Sequence, residues 1–279
     1  MNYKILLFSA LLFPLVADSQ SISLGASILG SNYSGDITAD NMAILKQTSP
    51  GCGVHLSYEM DHLFTFRANY EFLKVFADDK LGIQDWQLKR NLNFSSRIHS
   101  IDISGYLNLK NLLTERYKRL NINLLAGYTL FNYNPIANYQ GTQIELRSLG
   151  TEGQGMKGYA SKYSNWANAI NFGTNIEFLI TEKFSIETQL LFRKTNTDYL
   201  DDISSNYVNY ETLYQQNGVM AAELGNKIHA ATGSQRGNPL DQDWFQSLSL
   251  GVKYRIYSKQ KLHLTRLKKG SVHCPKFKF

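Results

Sequence analysis

The chain of 279 residues is 43% hydrophobic and 13% aromatic, with 17 Tyr, 15 Phe and only five Pro, and its formal net charge is +6. Past the N-terminus no apolar run approaches the ~20 residues that a membrane-spanning helix needs, which points to strands as the main element. The excess positive charge sits in the last residues instead of being spread along the chain, which argues against nucleic acid as the partner.

Met1 to Lys4 is short and basic, Ile5 to Ala17 is apolar, and Ala17 and Ser19 are small residues placed for cleavage before Gln20. Residues 1–19 therefore read as a signal peptide. An N-terminal anchor helix is the alternative, and the apolar stretch is too short for it.

Eight segments with period two follow, the pattern of strands with one apolar face. Their apolar phases begin with Ile22, Leu24, Ala26 and Ile28, then Cys52, Val54, Leu56, Tyr58 and Met60, then Phe64, Phe66, Ala68, Tyr70 and Phe72. Next come Ile101, Ile103, Leu107 and Leu109, then Ile122, Leu124, Ala126, Tyr128 and Leu130. The last three are Ile170, Phe172, Ile176 and Phe178; Phe184, Ile186, Leu190 and Phe192; and Leu248, Leu250, Val252, Tyr254 and Ile256. No Pro falls inside these segments. Most of them reach the ~9 to 11 residues of a tilted membrane strand. The expected fold is all-β: an eight-stranded antiparallel transmembrane barrel over residues 20–257, in the bacterial outer membrane and in contact with its lipids.

The opposite phase holds Glu59, Arg67, Glu71, Asp102, Glu177, Glu187, Arg193, Lys253 and Arg255. Five acids against four bases suit pairing across a narrow interior, and eight strands leave room for side chains but not for a water channel. The short connections at Asp61 and His62, at Thr181 to Lys183, and the moderate one at Lys110 to Arg119 are read as periplasmic. The long ones, Ser31 to Gly51, Val75 to Asn93, Asn132 to Asn165 and Lys194 to Trp244, are read as extracellular.

Residues 258–279 form a basic tail with Lys259, Lys261, Arg266, Lys268, Lys269, Lys276 and Lys278 and no acidic residue. An even number of strands places it in the periplasm, either as a docking element or as a solvated terminus. Cys52 lies towards the outer end of its strand and Cys274 in the tail, so the apolar band of roughly 25 Å separates two cysteines whose Cα atoms must approach within ~7 Å to pair. Cys274 then reads as a thiol for another chain, by an intermolecular disulfide where that chain presents a partner, or as an inert thiol.

Gly150 to Gly158 lacks the Gly-Lys-Ser/Thr ending and the strand-to-helix context of a phosphate loop, and reads as a turn-rich loop. Asp198, Asp201 and Asp202 are of the oxygen-ligand type that calcium takes, and with His229 of the type used in acid–base chemistry. Their plainer reading is a solvated surface or partners for Arg193 or Arg236. No catalytic, cofactor-binding or metal-binding residue is assigned.

Five loop patterns stand out: Asn32-Tyr33-Ser34-Gly35-Asp36, Arg90-Asn91-Leu92-Asn93-Phe94, Leu149-Gly150-Thr151-Glu152-Gly153-Gln154-Gly155, Thr197-Asp198-Tyr199-Leu200-Asp201-Asp202-Ile203-Ser204 and Gln235-Arg236-Gly237-Asn238-Pro239. With the ending His273-Cys274-Pro275-Lys276-Phe277, the chain resembles the PorG-like outer-membrane proteins of the type IX secretion system of Bacteroidetes. It departs from them in the Asn- and Tyr-rich stretch Asn206 to Gln216. The resemblance implies a structural component of that secretion and gliding machinery. Its partners would be a periplasmic ring-forming lipoprotein and associated secretion subunits, met through Cys274, Lys268, Lys269, Arg266 and Lys276. The alternatives are an adhesin or ligand-binding barrel using the outer loops, and a small outer-membrane enzyme. The enzyme needs Ser, His and acidic residues gathered at one mouth, whereas His55, His62 and His99 are expected at different heights.

Overall fold

The computed structural model describes residues 21–37, 46–82, 84–113 and 119–258. Strands form where the period-two alternation runs: β1 (Ser21–Ser34), β2 (Ser49–Glu59), β3 (Phe64–Asp78), β4 (Asn93–Asn108) and β5 (Leu120–Asn132). A short outer hairpin follows, β6 (Pro135–Tyr139) and β7 (Thr142–Glu145), and then β8 (Trp166–Leu179), β9 (Phe184–Thr195) and β10 (Trp244–Ser258). Neighbours run in the order β3-β2-β1-β10-β9-β8-β5-β4, and β3 pairs back onto β4. Every pairing is antiparallel, so eight strands close into a barrel without a free edge. The hairpin hangs from the outer end of β4 through Ser95↔Ile136 and Ser96↔Pro135.

Several sequence boundaries shift. The strands run further outward than the apolar phase, to Ser34 in β1 and Asp78 in β3, because polar residues continue the ladder above the membrane. Leu109 is not a strand residue: it opens a helical turn, Leu109–Leu113. Met60 falls in the turn after β2, and Ser258 closes β10 opposite Ser21, one residue into the expected tail. Pro50 is inside β2, near its outer end and facing outward, a position where a strand tolerates the lost donor.

The short turns carry their own chemistry. Asp61 accepts from the backbone N–H of Leu63 at 2.7 Å and of Phe64 at 2.6 Å, and Thr181 Oγ1 accepts from Lys183 N at 3.2 Å and Phe184 N at 3.0 Å. Such side-chain turns end a strand tightly, and short connections belong to the periplasmic end.

Outward residues form one apolar belt of exposed Leu, Ile, Val, Phe and Tyr side chains, including Ile28, Val54, Phe66, Ile103, Leu130, Ile170 and Leu250. A soluble protein rarely exposes so wide a patch, and a barrel in lipid must. The belt ends on the long-loop side in a ring that includes Asn32, Lys74, Arg97, Asn132, Asn168, Lys194 and Gln246. Its members are tied together in register by Lys74↔Arg97 and Asn32↔Gln246.

Candidate functional site

The lumen is filled in three storeys. Nearest the periplasm, Lys253 Nζ lies 3.0 Å from Glu59 and 2.6 Å from Glu177, Arg255 reaches Glu59 at 3.1 Å, and Ser185 donates to Glu177 at 2.7 Å. In the middle Arg67 holds Glu187 with two hydrogen bonds of 3.0 and 2.8 Å and stacks on the Tyr106 ring at 4.7 Å. Tyr106 in turn donates to Gln189 at 2.8 Å. Above them Arg193, wholly buried, bonds Asp102 at 2.9 and 2.7 Å and Glu71 at 2.6 Å. Thr129 and Asn69 complete that storey around Asp102. The small cavity left near the periplasmic mouth, lined by Arg67, Asn123, Glu177 and Lys253 among others, has about 50 Å³, room for ordered water. Charges taken out of water must be paired: Arg67 with Glu187 and Arg193 with Glu71 cross the barrel between β3 and β9, while Lys253 of β10 ties β2 to β8, so the interior is a strut.

The described parts of the long loops turn inward over the outer mouth instead of spreading into solvent. Tyr33, from β1, stands between Asp201 at 2.6 Å and Asp243 at 2.8 Å and packs its ring edge-on against Phe94. The hydroxyl has one proton to give and two carboxyls facing it, so one carboxyl must donate in return. Burial raises both Asp201 and Asp243 well above the ordinary carboxylate range; the charge of Asp201 raises Asp243 further, and that of Asp36 raises Asp201. Asp202 accepts from Thr151 Oγ1 and from Tyr163 at 2.7 Å, and burial pushes it up to about 6. Glu152 pairs with Arg236 at 2.7 Å and accepts from the backbone N–H groups of Ser204 and Ser205. Arg90 is clamped to Asp79 at 2.9 and 2.8 Å and donates to the Asp36 carbonyl. Asn238 N in turn donates to Asp36 at 3.0 Å.

All five loop patterns thus converge on one cap. Gly150, Gly153, Gly155 and Gly158 have φ between 63° and 90°, and a Cβ on Gly150 would sit 2.4 Å from the Gln154 carbonyl oxygen. They make tight turns in which glycine alone is unstrained.

Several sequence readings are corrected here. Asp198, Asp201 and Asp202 are buried, not a solvated surface, and Arg193 serves the lumen instead of them. Arg236 reaches Glu152 and the Asp202 carbonyl. Asp201 and Asp202 face different partners, and His229 stacks on Tyr210 away from them. Among the described residues no group of three or more His, Cys, Asp or Glu side chains is placed to hold a metal ion. His55 faces the lumen beside Glu187, whereas His99 faces outward and bonds Tyr70 at 2.8 Å. Cys52 is an exposed free thiol on the outer face of β2. Arg266, Lys268, Lys269, Cys274 and Lys276 lie outside the described residues. Sequence reasoning missed Asp243, Asp79 and Glu152 as cap anchors; the only signal was an acid inside or beside an otherwise turn-rich pattern.

A closed eight-stranded antiparallel barrel with an apolar belt and a polar, filled lumen defines an outer-membrane β-barrel protein. No family model matches the chain, and no curated protein matches it significantly. Among solved structures it is similar to Ail, the attachment invasion locus protein of Yersinia pestis, at 8% identity and TM-score 0.41, over 86% of this chain and 99% of that one. It is also similar to Neisserial surface protein A at 9% identity and TM-score 0.39, over 85% and 98%. The outer membrane protein OprG from Pseudomonas aeruginosa matches at 6% identity and TM-score 0.40, over 86% and 96%.

Proposed function

We propose that this barrel is a binding protein of the outer membrane, an adhesin or ligand-binding barrel whose working surface is the extracellular cap. The observation that carries the reading is that buried pairs such as Glu152 with Arg236 and Arg90 with Asp79 fix the cap before any partner arrives. Preorganisation of that kind lowers the cost of binding. The cap also exposes Trp86, Tyr159 and Tyr214 beside Leu88, Val219 and Leu240, and Trp and Tyr are enriched among interface hot spots. The test is substitution of Trp86, Tyr214 and Leu240 by Ser in intact cells, with attachment and protein export measured side by side. Lost attachment with normal export supports the binding role; unchanged attachment overturns it.

A second reading, a structural component of a type IX secretion apparatus, is favoured by one observation. The five patterns that carry the resemblance are the ones that build the cap, so they belong together as a unit. In this reading the tail residues Arg266, Lys268, Lys269, Cys274 and Lys276 engage periplasmic ring subunits, through charge and through a disulfide at Cys274. Capture through a tag placed in an extracellular loop, with non-reducing gels of alkylated envelopes, tests it. The reading fails if deleting residues 259–279 changes neither capture nor export.

A further inference from the structure

Lys74 of β3 and Arg97 of β4 stand directly opposite each other in the ladder, both outside the barrel and both exposed. Like charges facing across a strand pair are destabilising, and among the described residues neither forms an ion pair within 4 Å. Among the described residues Lys74 Nζ lies over the Phe76 ring at 5.9 Å. Both cations sit at the upper limit of the apolar belt. The next outward residues towards the membrane are Phe72 and His99, paired with each other and with ring centroids 4.8 Å apart, followed by Tyr70 and Ile101. That aromatic layer marks the level of the headgroups at the long-loop end, which is the outer leaflet.

Above Lys74 the outer wall is not flat. The β6–β7 hairpin leans on β4, with Asn93 donating to the Asn138 carbonyl at 3.1 Å and accepting from Asn138 N at 2.8 Å. Between hairpin and barrel lies a groove of about 270 Å³ whose wall includes Lys74, Phe76, Asn93, Ser95, Asn138 and Gln143. Among the described residues the one carboxylate on the groove, Asp78, is turned to the Lys80 backbone N–H at 2.9 Å. The site therefore offers two cations at the headgroup level, with amide and hydroxyl groups above the first of them.

We propose that Lys74 and Arg97 bind the phosphate of a phosphorylated glycolipid of the outer leaflet, with its sugar lying in the groove beneath the hairpin. A guanidinium and an ammonium side by side suit a phosphate, which presents several charged oxygens at once, and the bound phosphate removes the repulsion between the two strands. Charge complementarity singles out this lipid class, and the depth of the pair places the phosphate where such a lipid carries it. Lys194, on the far wall, has no opposing cation: it pairs with Trp244 and Ile170, and its ammonium lies 5.4 Å from the Trp244 ring.

The experiment uses the full chain purified in mild detergent and native mass spectrometry with two probes, bis-phosphorylated lipid A and the same lipid dephosphorylated. The native chain should retain the phosphorylated probe in preference to the other. The double variant Lys74→Gln with Arg97→Gln should lose at least about tenfold in retention, as expected for charge-assisted contacts. Lys194→Gln should match the native chain, and Lys74→Arg with Arg97→Lys should keep the preference. Equal retention of the two probes by the native chain, equal retention by the double glutamine variant, or an equal loss in Lys194→Gln would each overturn the proposal. Should the glutamine variant fail to assemble, the comparison of the two probes on the native chain decides.

Discussion

Arg193 shows what one side chain can hold in this lumen. Its guanidinium joins β9 to Glu71 of β3 and Asp102 of β4 across the barrel and lies over the Phe245 ring at 5.1 Å. Removing it leaves two acids facing each other without water, the costly half of a buried pair. Arg193→Ala should therefore lower stability by about 3–5 kcal/mol, read as a shift of the urea midpoint for the barrel in detergent. Adding Glu71→Gln and Asp102→Asn to that variant should restore more than half of the loss; no recovery would mean that packing, and not charge, is what Arg193 supplies. The residue types of this network were legible in the sequence because they occupy the inward phase of otherwise apolar strands. Their pairing was not, since Arg67 and Glu187 are 120 residues apart and only closure of the barrel brings them together.

Among the elements, strands and cap respond to different variables. Leu250 on β10 faces lipid, so Leu250→Arg should cost about 2–4 kcal/mol near the midplane and reduce the heat-modified, folded band on gels. Gly173 of β8 is a second constraint, because a Cβ there would lie 2.0 Å from the Leu190 carbonyl oxygen of β9. Gly173→Ala must push the two strands apart and should lower assembly yield; an unchanged yield of both variants would contradict the assigned faces and register. The cap responds to protons instead. Burial raises Asp198 from 3.8 to about 7, and Asp202 to about 6. A folded value above the unfolded one means that the native cap favours the protonated acid. The stabilisation is then complete below about pH 4 and is lost as pH rises through about 6 and 7. Amides from residue 197 to 204 should exchange more slowly at pH 5 than at pH 8 once intrinsic rates are corrected, and Asp198→Asn should remove much of the difference. Protection that rises with pH would sink this account. The strands were legible because period two is a local signal. The cap was not, because its folding depends on contacts such as Tyr33 with Asp243, which are 210 residues apart, and acids in turn-rich patterns ordinarily read as solvated.

For the whole molecule, the question is what closes the barrel. Two barriers lie in series along the axis: the cap with the apolar cluster of Phe131, Tyr133, Leu200 and Phe245 beneath it, and the three charged storeys below. The storeys are made of wall side chains held by paired charges, so they do not depend on the loops. A barrel of eight strands has an interior that side chains alone can fill. The native protein in a planar bilayer should accordingly show no steady ion conductance. A variant in which residues 198–241 are replaced by a short Gly/Ser linker should still assemble, since strand ladders and turns are untouched, and should also remain non-conducting. The two results separate the barriers: a steady current in the native chain would refute a sealed lumen, while a current that appears only after cap removal would assign the seal to the cap and reduce the storeys to a scaffold. Combining the linker with Arg193→Ala, Glu71→Ala and Asp102→Ala, which empties the uppermost storey, should leave the middle and lower storeys, anchored by Arg67 with Glu187 and Lys253 with Glu177, as the remaining seal. Conductance should therefore stay closed until those are emptied as well, and a channel that opens at the first storey would show that a single layer of paired charges carries the barrier.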